Sequence, residues 1–365
     1  MKSVDKYKAF YNLVPDSPII MKEFGYLCLD RWIKEGHIKE DTNLKELFGF
    51  DDHPFELFNL GWCEADFCPF FKEEVIEDRG EYEVVRDYVG RHVLCFKGRR
   101  SGFMPEYIDH PVKDMKTWMD NVEWRMNPNS PERYINIDEL LGKAAKAKAE
   151  GRIITQRLVG GYMYLRSLMG PEELLYMFYD DPELIHACMR KWLELADGVI
   201  ARHQRGVELD EVFIGEDICY NVSSLISHDM IKEFLFPYYQ QLIKNIKSRQ
   251  KKQDIILQVD TDGHVESVLE LYKSIGFNYF SPMEVASGCD VVEIRKKHPD
   301  ILILGGFDKR ILAQGKQAID REIDRIMPFM KKHGGFIPTC DHSVPEEVDF
   351  EDYVHFRKRL LEFSK

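Results

Sequence analysis

Short, unbroken apolar runs of four to six residues recur along this chain, each followed by a polar turn and a stretch of helical periodicity. A strand that faces water alternates apolar with polar residues. An unbroken run instead suits a strand buried on both faces, as in a parallel sheet whose crossovers are helices. The clearest runs are Val212 to Gly215, Ile255 to Val259, Phe277 to Phe280, Ile301 to Gly305 and Phe336 to Thr339. Helices are expected between and after them, at about 229–247, 265–274, 290–297, 309–312, 316–332 and 350–363. Three earlier runs, Pro18 to Lys22, Phe55 to Leu60 and Arg152 to Arg157, bring the total to eight, the strand number of a (β/α)8 barrel. A long helix from Asp181 to Ala201 carries Leu184, Ile185, Cys188, Trp192, Ala196 and Val199 on one stripe. Tyr82 to Ile108 alternates, with Gly90 at a turn, so an antiparallel hairpin is expected there, inserted between the second and third strands. An open doubly wound sheet is the competing architecture. It would need a glycine-rich phosphate turn after its first strand, and Glu23-Phe24-Gly25-Tyr26 stands there instead.

Composition narrows the partners. A chain of 365 residues accommodates one barrel with insertions, and a single domain over 1–365 is expected. The formal net charge of −13 argues against nucleic acid, which requires a basic stripe. Apolar runs such as Ile301 to Leu304 fall far short of the roughly 20 residues of a membrane span. The opening residues, with Lys2, Asp5, Lys6 and Lys8, hold no apolar leader, so a cytoplasmic protein is expected, its eight cysteines reduced. Cys63 and Cys68 lie close together but have no second pair at metal-binding spacing.

Ionisable residues cluster where the runs end: Glu23, Arg157, Glu216 with Asp217, Asp260 with Asp262, Glu284, Asp308 with Lys309, and Cys340-Asp341-His342. In a barrel the C-terminal strand ends form the active face. One such acid is readily explained as a helix N-cap, but capping does not demand an acid at nearly every strand, because Ser, Thr and Asn cap equally well. A carboxylate-rich mouth can bind a divalent metal, share protons, or hold a cationic group. Glu216, Asp260, Asp262, Asp308 and His342 are the catalytic candidates. Glu23, Arg157, Arg166, Asp217 and Lys309 are candidates for substrate binding, Arg166 offering a fork for a carboxylate. Cys340 adds a soft ligand, or is simply a small buried hydrophobe.

Several of these segments carry a resemblance. Val259-Asp260-Thr261-Asp262-Gly263-His264, Pro282-Met283-Glu284-Val285, Gly305-Gly306-Phe307-Asp308-Lys309-Arg310 and the stretch from Gly334 to Pro345 are similar to the uroporphyrinogen-decarboxylase-like superfamily. The resemblance covers nearly the whole chain, is dense from Arg166 onward, and implies a (β/α)8 barrel. The superfamily holds porphyrinogen decarboxylases, corrinoid-linked methyltransferases and members of unassigned activity. The decarboxylases' Arg-Gln-Ala-Gly-Arg segment is missing near the first strand, and Thr339-Cys340-Asp341-His342 replaces their closing Gly-His-Gly. A substrate with many carboxylates calls for arginines, whereas this mouth is mainly acidic.

The methyltransferase branch holds zinc through His-x-Cys-Gly, a Glu on the next strand and a later Cys. Matched onto this chain, the resemblance implies a metal set of Asp262, Glu284 and Cys340, completed by Asp260 or His342. Two Asp in place of His and Cys exchange soft ligands for hard ones, leaving the identity of the metal open. The first expectation is therefore a methyltransferase acting with a corrinoid or thiol methyl carrier, zinc at the mouth, and methylcobamide carried by a partner corrinoid protein. A decarboxylase or other metal-free acid/base enzyme on a small carboxylated or tetrapyrrole-related substrate is the alternative. In that case Asp260, Asp262 and Glu284 transfer protons and Cys340 only packs. A non-catalytic small-molecule binding protein is the third reading.

Overall fold

The computed structural model describes residues 1–99 and 105–364. Its chain lays down β1 (Phe55–Leu57), then an inserted sheet of β2 (Glu74–Arg79), β3 (Tyr82–Arg86), β4 (His92–Phe96) and β5 (Glu106–Asp109). There follow β6 (Ile154–Val159), β7 (Glu211–Gly215), β8 (Ile256–Asp260), β9 (Tyr279–Met283), β10 (Leu302–Phe307) and β11 (Phe336–Cys340), with helices in the connections. The seven strands β1 and β6 to β11 form one parallel sheet in chain order. Unbroken burial marks them, every residue of β9, β10 and β11 being covered, as expected of strands with helices on one side and a lumen on the other.

Seven of the eight expected runs are paired strands; Pro18 to Lys22 is extended but joins no ladder. Its backbone explains why. Met21 donates its N–H to the Asp51 carboxylate at 2.8 Å and accepts the Asp51 N–H at 2.8 Å, so the loop before β1 takes groups that a strand partner would need. The segment nevertheless lies beside β11, where Glu23 accepts the Cys340 N–H at 2.9 Å and Tyr26 bridges Val344 in parallel. The sheet curls far enough for residues of β1 and of β10 to line one cavity. The helix Ser3–Tyr11 closes the floor, packing Tyr7 and Phe10 against Ile20, Tyr279, Leu304 and Ile337.

The expected hairpin is a four-stranded antiparallel sheet, order β2-β3-β4-β5, beginning at Glu74 rather than Tyr82. Five of the six residues of β2 are exposed, so the strand presents no buried face to alternate with. Residues 100–104 of the expected insertion lie outside the described residues. Among the described residues no helix is long and apolar enough to cross a membrane.

Candidate active site

Strand register stacks the lumen in layers. Glu56, Thr155 and Glu211 form the lowest, since Glu56 pairs with Thr155 and Thr155 with Glu211. Arg157, Phe213, Gln258 and Tyr279 form the next, and Gly215, Asp260 and Ser281 the third. Barrel lumens are ordinarily filled with branched apolar side chains. Here charged and polar groups share with aromatic side chains such as Phe55, Trp62 and Phe213 the lining of an open cavity of about 690 Å³, within the size range of small-molecule sites.

Asp260 ends β8 at the top of this cavity. Ser281 donates its hydroxyl to one carboxylate oxygen at 2.5 Å and accepts from the Gln258 amide at 2.8 Å, an arrangement that fixes the hydroxyl proton on the acid. Among the described residues no side chain or amide holds the other oxygen. Burial pushes the carboxyl up to about 7 against the pull of Ser281, and the charges of Asp262 and Asp217 push it the same way. Burial and Asp217 likewise raise Asp262, to about 6, while His342, 3.8 Å away, pulls it down. Phe24 rests against the His342 ring, centroids 5.1 Å apart.

The rim is built from turns. Glu284 accepts the Gly263 N–H at 2.9 Å and the Ser287 hydroxyl at 3.1 Å, with the Lys309 ammonium 3.7 Å away. Gly263 is required there: its φ is +84°, and a Cβ would sit 2.7 Å from the Tyr220 carbonyl oxygen. Asp217, in the left-handed region at φ +45°, meets Arg166 at 2.5 Å. That pairing occupies the cation expected to bind substrate. Asp341 accepts the Val285 and Lys309 amides at 2.9 and 3.0 Å and ties two rim loops together.

Four expected site residues have their side chains committed to partners of the fold. Glu216 is fully buried behind the strands, where its carboxylate accepts the Tyr239 hydroxyl and the Tyr162 N–H. Glu23 borders the cavity, but its carboxylate is turned away from it, taking the Cys340 N–H at 2.9 Å and the Tyr353 hydroxyl at 2.8 Å from the helix Phe350–Leu361. Asp308 is gripped by Arg310 through three guanidinium contacts of 2.7–3.2 Å. Burial raises its carboxyl, but Arg310 more than offsets this and leaves it below the ordinary range. Cys340 is fully buried in the outer core, and burial together with Glu23 and Asp341 holds its thiol protonated.

The expected metal set therefore does not assemble. Asp262 and Glu284 stand at the mouth, whereas the Cys340 side chain lies on the other face of β11. Ile337, whose parity is opposite, packs with the floor of the lumen. No group of three or more His, Cys, Asp and Glu among the described residues is placed to hold a metal ion.

Other site residues were not singled out from the sequence. Lys22, Glu56, Glu211, Gln258 and Ser281 line the lumen. Trp62 stacks on Phe213 with centroids 4.8 Å apart, and the Arg157 guanidinium lies 3.6 Å over the indole. Arg157, expected to bind substrate, gives one nitrogen to both oxygens of Glu56 at 2.9 and 2.8 Å. Counting by twos back from Asp260, through Gln258, would have found the inward set on β8.

A family model for uroporphyrinogen decarboxylase (URO-D) matches residues 143–361, more than half of the chain and all of β6 to β11. A uroporphyrinogen decarboxylase of Hydrogenobaculum sp. (strain Y04AAS1) is 20% identical over 188 residues, 51% of this chain and 50% of the relative. One from Campylobacter fetus subsp. fetus is 23% identical over 190 residues, 52% of this chain and 51% of the relative. The chain thus spans about half the length of the curated relatives it matches. Among solved structures, a methyltransferase from Methanosarcina mazei superposes over 100% of both chains with a TM-score of 0.62 at 13% identity, a likeness of fold. The matched stretch supplies six of the seven strands of the parallel sheet, with Asp260, Asp262 and Glu284 among its residues, and the chain belongs to the uroporphyrinogen decarboxylase family.

Proposed function

We propose that this chain is an acid/base enzyme that moves a proton to or from a small organic acid held in the lumen, with Asp260 as the proton-transfer group. One observation carries the reading: a half-buried carboxyl brought to about 7, oriented through one oxygen by Ser281 and open at the other. A group whose pKa lies near the working pH is present in both its acid and base forms, as general acid/base catalysis requires. Asp262 and His342, above it at the rim, are suited to pass the proton to solvent. Arg157 supplies a cation beneath it for an anionic substrate group.

The reaction class follows from these roles. Deprotonated Asp260 removes a proton beside a carbonyl. Protonated Asp260 delivers one to a carbon that has lost carbon dioxide. No step is routed through a metal, because Asp262, Glu284 and Cys340 do not converge.

The test begins with ligand-observed NMR of small carboxylic and oxo acids, followed by exchange of carbon-bound hydrogen in D2O and release of carbon dioxide. Wild type should bind and turn over at least one such acid, and Asp260→Asn should bind it without turnover. Undiminished turnover in Asp260→Asn would overturn the assignment. Elemental analysis runs in parallel. Stoichiometric zinc that disappears in Cys340→Ser would instead favour methyl transfer from a corrinoid partner.

A further inference from the structure

Lys22 is the unexplained group of the lumen. The extended segment before β1 alternates, Ile20 packing into the floor cluster and Lys22 lining the cavity one pleat above. Among the described residues its ammonium makes no ion pair and no hydrogen bond, although acids surround it. Those acids are already engaged. Glu211 accepts from Tyr11 and, at 3.4 Å, from Thr155, while Glu56 is held by Arg157. A lysine meant only to balance charge would take one of them.

Burial lowers the amine, and Arg157 adds to this against the opposing pull of Glu211 and Glu56. Desolvation and a neighbouring cation are the two conditions that leave a lysine neutral and nucleophilic. Arg157 contributes a second feature. With Nη1 on Glu56 and its face on Trp62, it keeps Nη2 without a hydrogen bond among the described residues, a donor left for a carboxylate.

We propose that Lys22 captures the carbonyl carbon of a small oxo acid as an imine, while the unpaired Nη2 of Arg157 receives the acid's carboxylate. The Nζ lone pair forms the C–N bond and the carbonyl π electrons move to oxygen. That oxygen takes one proton from the nitrogen and a second from the protonated carboxyl of Asp260 or Glu211. Water leaves, and the carboxylate recovers the remaining nitrogen proton. One water is released, and nothing is oxidised or reduced. An imine also withdraws electrons from the neighbouring carbon, the requirement of the proton transfer assigned to Asp260. This inference deepens that reading by naming the substrate class, yet the capture step needs no exchange at carbon.

The probe is pyruvate with sodium borohydride, which reduces an imine to a stable amine, followed by peptide mass mapping of the full chain. The expected result is a reduced pyruvate adduct on Lys22, formed at least roughly tenfold faster than on any exposed lysine, because only an amine already neutral attacks readily. Propionate, which has the carboxylate without the carbonyl, should slow it by competition. Lys22→Met and Lys22→Arg, each verified as folded by circular dichroism, should lose the adduct. Adducts spread over surface lysines, or absent from Lys22, would overturn the proposal and leave the proton-exchange test of Asp260 untouched. Loss of exchange in Asp260→Asn would likewise leave the trapping result standing.

Discussion

Glu216 and Asp260 are backbone neighbours, the Glu216 N–H donating to the Asp260 carbonyl at 2.8 Å, and burial pushes both carboxyls up to about 7. Their side chains lie on opposite faces of the sheet. Behind it, Glu216 is saturated by Tyr239 and the Tyr162 amide, in a layer of helices that admits no substrate. Asp260, on the lumen side, is held through one oxygen and opens onto the cavity. A raised pKa therefore marks burial in both, and only the open oxygen separates an acid that can react from one that braces the fold. Perturbed titration points to function only when geometry leaves the group something to act on.

The largest difference should appear in stability. Glu216→Ala removes the partner of a buried Tyr hydroxyl and leaves a hole, at a cost of about 3–5 kcal/mol in urea unfolding. Measured near pH 4, where the folded chain keeps Asp260 protonated, Asp260→Asn should change stability by less than about 1 kcal/mol, since it exchanges one neutral group for another. Equal losses would erase the distinction between the two faces.

In turnover the order reverses. Asp260→Asn should lower proton exchange about a hundredfold or more, the usual weight of a general acid/base. Asp262→Asn, at the rim, should lower it less. If the rim variant proves the more damaging, the proton-transfer role moves outward to Asp262 and His342.

The pH dependence of stability sharpens the comparison further. Asp260 is raised from an ordinary 3.8 to about 7, so between those values the folded chain keeps a proton that the unfolded chain has lost. Its contribution is present below the unfolded value and is lost as the pH rises through the folded one. Glu216 acts in the same direction. Wild-type stability should therefore decline between about pH 4 and 7, and Asp260→Asn should flatten part of that decline. A slope unchanged by the substitution would mean that Asp260 titrates normally.

The smallest effect concerns the thiol. Cys340→Ser should cost no more than about 1–2 kcal/mol, the scale of placing a hydroxyl in an apolar site, and should leave exchange unaltered. A large loss of turnover with stability intact would bring Cys340 back to the mouth.

Strand positions were legible because parallel strands buried on both faces read as unbroken apolar runs, as at Ile301 to Gly305. The first run escaped because pairing depends on hydrogen bonds to Asp51, which apolarity does not report. β2 escaped because a nearly all-exposed strand has no pattern to see. At the site, strand ends located Asp260, Asp262, Glu284 and His342 at the mouth, but the same rule swept in Glu216, Glu23 and Cys340. Those three have outward parity, and counting by twos along each strand separates them from their inward neighbours Asp217, Lys22 and Thr339. The commitments of Arg166 to Asp217 and of Arg310 to Asp308 could not be read in advance, because they depend on where loops bring the guanidinium groups.

Asp260 stands at the centre of the site as a half-buried acid poised near neutrality and open to the lumen. Carbon-13 NMR of chain labelled at the aspartate carboxyl carbons, with the resonance assigned by its loss in Asp260→Asn, follows that titration directly. The expected midpoint lies near 7 and shifts when a small carboxylate fills the cavity. A midpoint near the ordinary 3.8, unmoved by any such acid, would contradict it.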